Sequence, residues 1–498
     1  VAVINPTKLK STELLRLLNS AGFGEVLTER RLRLHRNRAG FAIGDAKTID
    51  LLRYAAWLTQ RYLTPPKENR TYDDLRQAAR LRNSELARAG QDIGQIPAVV
   101  NPQRKIRAIS SFRYFCETYF PEVFYLSWSD DHLKVIGKIE QAVLKGGLFA
   151  LAMARGSGKT SMMQMACLWA ALTGATEFVC LIAASADRAQ NLLETIKVWL
   201  ETNELLNEDF PEVTFAIRAL ERITNRQKGQ KYNGIPTRIE WNTDKIVLPT
   251  IEGNRSSGVV ISCSGMKGSD IRGQNYARAD GKVVRPQLVM VDDPQTTESA
   301  WSPSQSQRRE AILAGDVLGM AGPGKKISGL MACTVIRPGD MADNILDRQK
   351  HPEWQGERTK MVYAFPANEK FWQQYAEIRA DSLRNDGDGS TATEFYRQNR
   401  EAMDAGAIVA WPQRHNPDEL SAIQHAMNLK LRDEAAFFAE YQNEPVQEKE
   451  GQGQLTADEI AAKLNGHARA IVPLGCTELT MFIDVQQKAL FWMLCGWE

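Results

Sequence analysis

The sequence is short of several things that would commit it to a particular chemistry. None of its seven cysteines stands in a Cys-x-x-Cys pair, so there is no zinc-ligand spacing to read. Cys180, Cys263 and Cys333 fall in apolar, strand-like runs and read as reduced, buried thiols of a cytosolic protein rather than a disulfide framework. No apolar run approaches the roughly 20 residues of a membrane-spanning helix, and no signal-peptide pattern is present. The net charge is only +2 in 498 residues. With 43% hydrophobic and 24% charged residues, the composition is that of a globular protein, and its length suggests about three domains. The chain opens on Val1 rather than Met and stops at Glu498 inside an apolar run, so it reads as a piece of a longer protein.

The small net charge hides an asymmetry. Residues 1–110 hold 20 Lys and Arg against 10 Asp and Glu, a net of +10, which leaves −8 on the rest of a chain whose total is +2. A basic head of this kind points to a polyanion partner. Within it, residues 7–20 predict a short amphipathic helix, Gly22 and Gly24 a turn, and 28–38 a second helix carrying Arg30, Arg31, Arg33, Arg36 and Arg38. A strand or wing is expected at Gly40–Gly44 and a third helix over 48–62. This pattern fits a helix-turn-helix DNA binder; a plain helical domain with solvated arginines fits it equally. Residues 65–110 read as linkers around a charged helix at 71–90, and the body as beginning near Ser111, with an aromatic cluster from Phe112 to Tyr125 as core.

The stretch with most chemical content is 148–161, Leu-Phe-Ala-Leu-Ala-Met-Ala-Arg-Gly-Ser-Gly-Lys-Thr-Ser. An apolar strand breaks at Gly156-Ser157-Gly158 and leads through Lys159, Thr160 and Ser161 into an apolar-periodic helix. Strand, glycine turn, Lys-Thr, helix is the order a phosphate-binding loop requires: the glycines let several N–H groups face one anion, and the helix dipole adds positive charge. Lys159 would reach the β/γ-phosphates of ATP, and the Thr160 hydroxyl would ligate Mg²⁺. The standard pattern has Gly where this chain has Met153. Upstream, Ser129 is placed as a helix cap, and Trp128 and His132 are candidates for contacting the adenine; a structural role for His132 is the alternative.

A second strand, Leu288–Val291, ends in Asp292 and Asp293. Ligands sit at the C-terminal edge of a parallel sheet, so Asp292 is placed to hold the metal shell and Asp293 to polarise a water for attack on the γ-phosphate. Glu is common at the second position of such pairs, and Glu298 is the other candidate for that task. A further strand, 327–334, ends in Thr334, a candidate γ-phosphate sensor. Alternating strands and helices around these motifs predict a parallel α/β sheet. A helix is expected at Ser302–Ala314, polar helices over 371–404 with a loop at 385–390, a linker at 446–454, a short helix at 456–465, and a hairpin whose first strand carries Asp484.

Taken in order, Ala154-Arg-Gly-Ser-Gly-Lys-Thr-Ser161, the element ending Ile271-Arg272-Gly273, Pro286-Gln-Leu-Val-Met-Val-Asp-Asp-Pro294, Cys333-Thr-Val-Ile-Arg-Pro, Trp411-Pro-Gln-Arg followed by Ala439-Glu-Tyr-Gln-Asn-Glu-Pro445, and Phe482-Ile-Asp-Val485 resemble the large terminase subunits of tailed bacteriophages and prophages, over about 127–498. The resemblance implies an ASCE-type P-loop NTPase: a parallel sheet flanked by helices, here with a small N-terminal helical domain and the first hairpin of an RNase H-like domain. The corresponding divisions are 1–64, 65–110, 111–370, 371–454 and 455–498. It implies an ATP-driven motor that packs double-stranded DNA into a procapsid, working in the host bacterial cytoplasm as a homo-oligomeric ring with the small terminase subunit and the portal protein, without a membrane. It implies contact of Arg155 with the γ-phosphate, coupling through Thr334, and a role for Lys267 and Arg272 in binding DNA or, for Arg272, a neighbouring subunit's nucleotide. Asp484 matches the first metal ligand of the family's nuclease, which needs several carboxylates around two Mg²⁺ or Mn²⁺ ions. A helicase-type translocase and a DNA-binding adaptor with a degenerate ATP site are the competing readings.

Overall fold

The computed structural model describes residues 5–63, 76, 92–278, 280–446, 457–462, 471–485 and 489–497. The expected linkers at 64–67 and 447–454 and nearly all of the expected charged helix at 71–90 lie outside them. The chain divides into two compact units, Val1–Gln91 and Asp92–Glu498.

The first unit is built on three helices: α1 (Ser11–Asn19), α2 (Glu29–Ala39) and α3 (Leu51–Leu63). Thr28 caps α2, its hydroxyl accepting from the Arg31 N–H, which satisfies one of the donors that a helix start leaves open. Leu14, Leu32, Ile43, Ile49 and Tyr54 close a small core. Arg30, Arg31, Arg33 and Arg38 are exposed. Arg36 instead turns inward, donating to Ser11 Oγ at 3.1 Å and to the carbonyls of Asp45 and Ala46 at 3.1 and 2.8 Å. The connection from α1 to α2 runs from Ser20 to Thr28, longer than the three or four residues of about the usual helix-turn-helix turn. The strand or wing expected at Gly40–Gly44 is a 3₁₀ turn, Gly40–Ile43. Gly40 ends α2 at φ +57° and Ile43 is needed in the core, so the chain curls inward rather than extending.

In the second unit, α4 (Pro102–Ser110) and α5 (Phe112–Tyr119) precede α6 (Asp130–Leu144). The packed body begins before Ser111, contrary to expectation. Ala108 is fully buried, its carbonyl accepts from Trp169 Nε1 at 2.9 Å, and Arg104 pairs with Glu208 and the buried Asp209. Phe112, Phe115, Tyr119 and Phe120 enter the core as expected, whereas Tyr125 is exposed.

The centre is an eight-stranded sheet of β1 (Leu148–Ala152), β2 (Phe178–Ala183), β3 (Glu240–Trp241), β4 (Lys245–Val247), β5 (Val260–Gly265), β6 (Leu288–Asp292), β7 (Ser328–Cys333) and β8 (Glu357–Arg358), in the spatial order β8-β1-β7-β6-β2-β5-β4-β3. The run from β8 to β5 is parallel; β4 and β3 add antiparallel. The fold is therefore α/β with a mixed, mostly parallel sheet. Its central strands are apolar on both faces, as a sheet covered by helices demands. On one face lies α7 (Lys159–Thr173), packed against α4, α5, α6 and α8 (Ala186–Thr202). The other face is closed by residues 312–346, including Leu313, Val317, Met341 and Ile345. Cys180 and Cys333 are buried free thiols and Cys263 is half-buried.

The helix expected over 302–314 is α9 (Pro303–Ala311), continued by a π-helical stretch to Val317. The polar region forms α10 (Glu369–Arg384) and α11 (Ser390–Asp404), followed by α12 (Ala422–Arg432). Trp372, Tyr375, Tyr396 and Phe437 give this helical part its own core, which also takes in Ala154. The expected hairpin is β9 (Glu478–Val485) paired antiparallel with β10 (Leu490–Trp497), and Ala457–Ala461 is the short helix before it.

Candidate functional site

Three adjacent strands, β1, β7 and β6, deliver their chemistry to one edge of the sheet. After β1 the chain buries Met153 and Ala154 and turns through Gly156 at φ +77° and Gly158 at φ +81°. A side chain is strained at such angles, and at Gly156 a Cβ would also stand 3.0 Å from the Arg414 guanidinium. Gly158 is the residue capping α7, with no side-chain cap, so the first N–H groups of that helix keep their capacity for a ligand. Met153 fills core space beneath the turn, at 2% exposure, which is what occupies the position where the resemblance has Gly. The Ser157 hydroxyl is buried in the turn without a hydrogen-bond partner.

Lys159 is buried at the start of α7. Its ammonium donates to Thr334 Oγ1 and stands 3.1 Å from Asp293 Oδ1, which also accepts from the Thr334 hydroxyl at 3.2 Å. Thr160 Oγ1 lies 3.1 and 3.0 Å from the two oxygens of Asp292. Five residues far apart in the chain, Lys159, Thr160, Asp292, Asp293 and Thr334, thus meet at the C-terminal ends of neighbouring strands. Asp293 sits at φ +39°, a left-handed conformation that costs a non-glycine residue on the order of 1–2 kcal/mol. Its N–H remains tied to Ala332 O at 2.9 Å, and the conformation turns the carboxylate onto Lys159. Burial, and next the charge of Asp293, push the Asp292 carboxyl up to about 6; the Thr160 hydroxyl and Lys159 offset this only in part.

His132 supports the turn from below. Ser129 caps α6, and its Oγ is 2.7 Å from His132 Nδ1, while His132 Nε2 is 2.9 Å from Ser157 O. Burial lowers the imidazole's pKa, so the neutral ring is assigned with Nε2–H donating to the carbonyl and Nδ1 accepting. Trp128 is half-buried, and its Nε1 donates to Glu117 at 2.9 Å. Trp411 meets His132 edge-on at 4.6 Å between centroids. Beside the glycine turn an open cleft of about 860 Å³ is lined by Phe124, Trp128, His132, Ser161, Trp411 and Arg414 among others.

The remaining expected residues are placed less centrally. Arg155 is exposed and pairs with Glu440, whose backbone carbonyl accepts the Arg155 N–H at 2.8 Å. Glu298 is exposed in the first turn of the helix Thr297–Trp301, where its own N–H and Thr296 hold the carboxyl below its usual value. Among the described residues no hydrogen bond or ion pair joins it to Lys159, Thr160, Asp292 or Asp293. Lys267 is exposed, and Arg272 pairs with Asp316. Asp484 faces Phe491 across the hairpin and is exposed. No group of three or more His, Cys, Asp or Glu side chains that could hold a metal occurs among the described residues, so the carboxylate set of a two-metal nuclease is not found there.

Two site residues were not assigned a role from sequence. Arg414 donates to the Arg155 carbonyl and lies 5.7 Å over the Tyr441 ring, and burial lowers its pKa. Glu440 holds Arg155. Both stand in the Trp-Pro-Gln-Arg and Ala-Glu-Tyr-Gln-Asn blocks, but nothing in their spacing tells which part of the chain they will touch.

No protein-family model matches the chain. No curated protein matches it either.

Proposed function

We propose that this chain is a P-loop ATPase that drives double-stranded DNA, the motor subunit of a viral packaging machine of the large-terminase kind. The observation that supports the ATPase most directly is the meeting of Lys159, Thr160, Asp292, Asp293 and Thr334 at the ends of three neighbouring strands, beside a glycine turn that opens a helix. A hydroxyl and a carboxylate 3.0 Å apart are a hard-oxygen donor set, suited to Mg²⁺ that takes its other ligands from phosphates and water; the ion would neutralise charge on the phosphates.

In the arrangement described, Lys159 is bound by Asp293 and Thr334. A triphosphate draws Lys159 onto its β/γ-oxygens. That frees the Asp293 carboxylate to accept a proton from an attacking water, with Thr334 beside it to register the γ-phosphate. The contacts favour Asp293 over Glu298 for this task, because Asp293 already lies in the cluster and Glu298 is exposed. Trp128 and Trp411 offer faces for the base, while His132 holds the turn. Arg155 reaches phosphate by leaving Glu440.

The DNA partner, the small terminase subunit, the portal protein and the ring rest on the ordered motifs. The stretch Glu369–Arg432 is helical where a two-lobed helicase would place a second α/β lobe, which favours the packaging motor over that alternative. The metal-dependent nuclease of the family would start at Asp484.

The experiment that tests the ATPase is turnover of Mg-ATP by Lys159→Ala and Asp293→Asn. The first should abolish turnover, and the second should abolish it while ATP still binds. Turnover by Lys159→Ala at the wild-type rate would overturn the proposal.

A further inference from the structure

The strands β1, β7 and β6 that carry the cluster at their C-terminal ends are each preceded, at the opposite edge of the sheet, by cations at nearly the same offset. Lys145 precedes β1, Lys325 and Lys326 precede β7, and Arg285 precedes β6. Register sets Leu148 opposite Gly329 and Leu288 opposite Ser328, so these approaches lie side by side. Gly329 N–H donates to Gly147 O at 2.9 Å and Ser328 N–H to Gln287 O at 2.8 Å. Arg285 lies along the loop that bears the two lysines, since a Cβ on Gly322 would stand 3.2 Å from its Cδ. With neighbouring strands about 4.8 Å apart, the four cations form a row on the order of 10 Å long.

All four are exposed, and none of them makes an ion pair among the described residues. The segments 145–147, 285–287 and 318–327 contain no Asp or Glu, in a chain that has almost as many acids as bases. Further along the same edge the pattern changes: Arg278 and Lys282 are both taken up by Glu177. An uncompensated row confined to the approaches of three central strands is a site for closely spaced negative charge. The segments offer Lys, Arg, Gly and Pro but no aromatic ring for stacking bases. Leu144 and Val283 are the exposed apolar side chains beside the row, too little for insertion into a bilayer.

We propose that this edge of the sheet binds the phosphate backbone of duplex DNA without reading its sequence. The identity of the polyanion rests on the motor reading above; the surface is assigned from the row itself. A DNA contact here stands one strand length, about 17 Å for five residues, from the Lys159 cluster on the same three strands.

The test uses the full chain without nucleotide: fluorescence anisotropy of a 30-base-pair duplex across a salt series, for wild type, for K145Q/K325Q/K326Q, and for the same variant with R285Q added. The triple variant leaves Arg285 packed on its loop and guards against a folding defect. Each lost phosphate contact removes about 0.9 from the slope of log K against log salt. Affinity should fall about tenfold or more at 100 mM salt, and the slope should flatten by about 2–3, with basal ATP turnover unchanged. Wild-type affinity and slope in both variants would overturn this surface and leave the motor reading standing. Failure of the wild type to bind duplex in any salt would overturn both. Loss of binding to phosphatidylcholine–phosphatidylserine vesicles, with duplex binding intact, would assign the row to lipid headgroups and also overturn the proposal.

Discussion

Asp292 is held in a state that suits catalysis better than stability. Its carboxyl is raised from 3.8 to about 6, so the folded chain binds that proton more tightly than the unfolded chain does. The protonated form carries no penalty below pH 4; as pH rises through about 6 the buried charge appears, and at pH 8 it costs about 3 kcal/mol at 1.36 kcal/mol per unit. Asp292→Asn should therefore raise the melting temperature of the nucleotide-free protein at pH 8. The gain should shrink toward zero between pH 6 and pH 4, while Mg-dependent ATP turnover is lost. Calorimetry at pH 4.5, 6 and 8 checks this, and an equal gain at all three would refute the assigned cause. Glu440 offers a second handle. The Arg155–Glu440 pair is largely exposed and worth at most about 1 kcal/mol, so Glu440→Gln should hardly change stability. By releasing Arg155 it should tighten ATP severalfold and ADP much less, as read by nucleotide titration of the two forms. At this scale the sequence was legible wherever a residue adjoins a strand end. Lys159, Asp292, Asp293 and Thr334 follow apolar runs directly, and the sheet brings those ends together. Arg414 and Glu440 were not legible, because they reach Arg155 across 259 and 285 positions from a helical part with its own core.

The helix α7 shows why elements differ in how plainly they can be read. Thirteen of its fifteen residues are buried, because the sheet lies on one side and α4, α5, α6 and α8 on the others. An all-round apolar helix has no periodicity to reveal it; the glycine turn before it and Gly174 after it mark its limits. Gly174 stands at φ +63°, and a Cβ there would fall 2.4 Å from the Arg255 carbonyl oxygen. Backbone is on both sides of that clash, so relief requires moving the start of the loop to β5. Gly174→Ala should lower stability by at least about 2–3 kcal/mol, measured by urea denaturation, with an unchanged m-value if the unfolded state is unaffected. The central strands were readable as apolar runs closed by turns. The edge strands β3 and β4, of two and three residues, were seen only as short strand-like runs, since nothing so brief fixes a direction of pairing. At Gly40–Ile43, an apolar stretch between glycines suited either a strand or a turn, and burial of Ile43 decided for the turn.

Over the whole molecule, charge and packing divide the chain differently. The head and body differ by sign, +10 on residues 1–110 against −8 on the remainder, yet α4, at the basic end of that division, packs into the body core through Ala108 and Arg104. Composition marks where a partner's field is felt; it does not mark where a core begins, because the basic residues of α4 make ion pairs with Glu208, Asp209 and Glu212 rather than facing solvent. The head's capacity for a polyanion therefore rests on α2, and within α2 on the side chains that the fold leaves outside. Arg30, Arg31, Arg33 and Arg38 are exposed, and Arg36 is committed to the Ser11 hydroxyl and to the carbonyls of Asp45 and Ala46. Two variants of the full chain should then separate binding from folding. R30A/R31A/R33A/R38A should weaken duplex binding and flatten its salt slope by up to about 3, with the melting profile unchanged. Arg36→Ala should leave the carbonyls of Asp45 and Ala46 without their donor and destabilise the head by about 1–3 kcal/mol, seen as faster amide exchange in residues 11–54, with at most a small change in salt slope. If the fourfold variant binds duplex as the wild type does, the head is a plain helical unit, and the basic row at the start of β1, β6 and β7 must account for DNA binding alone.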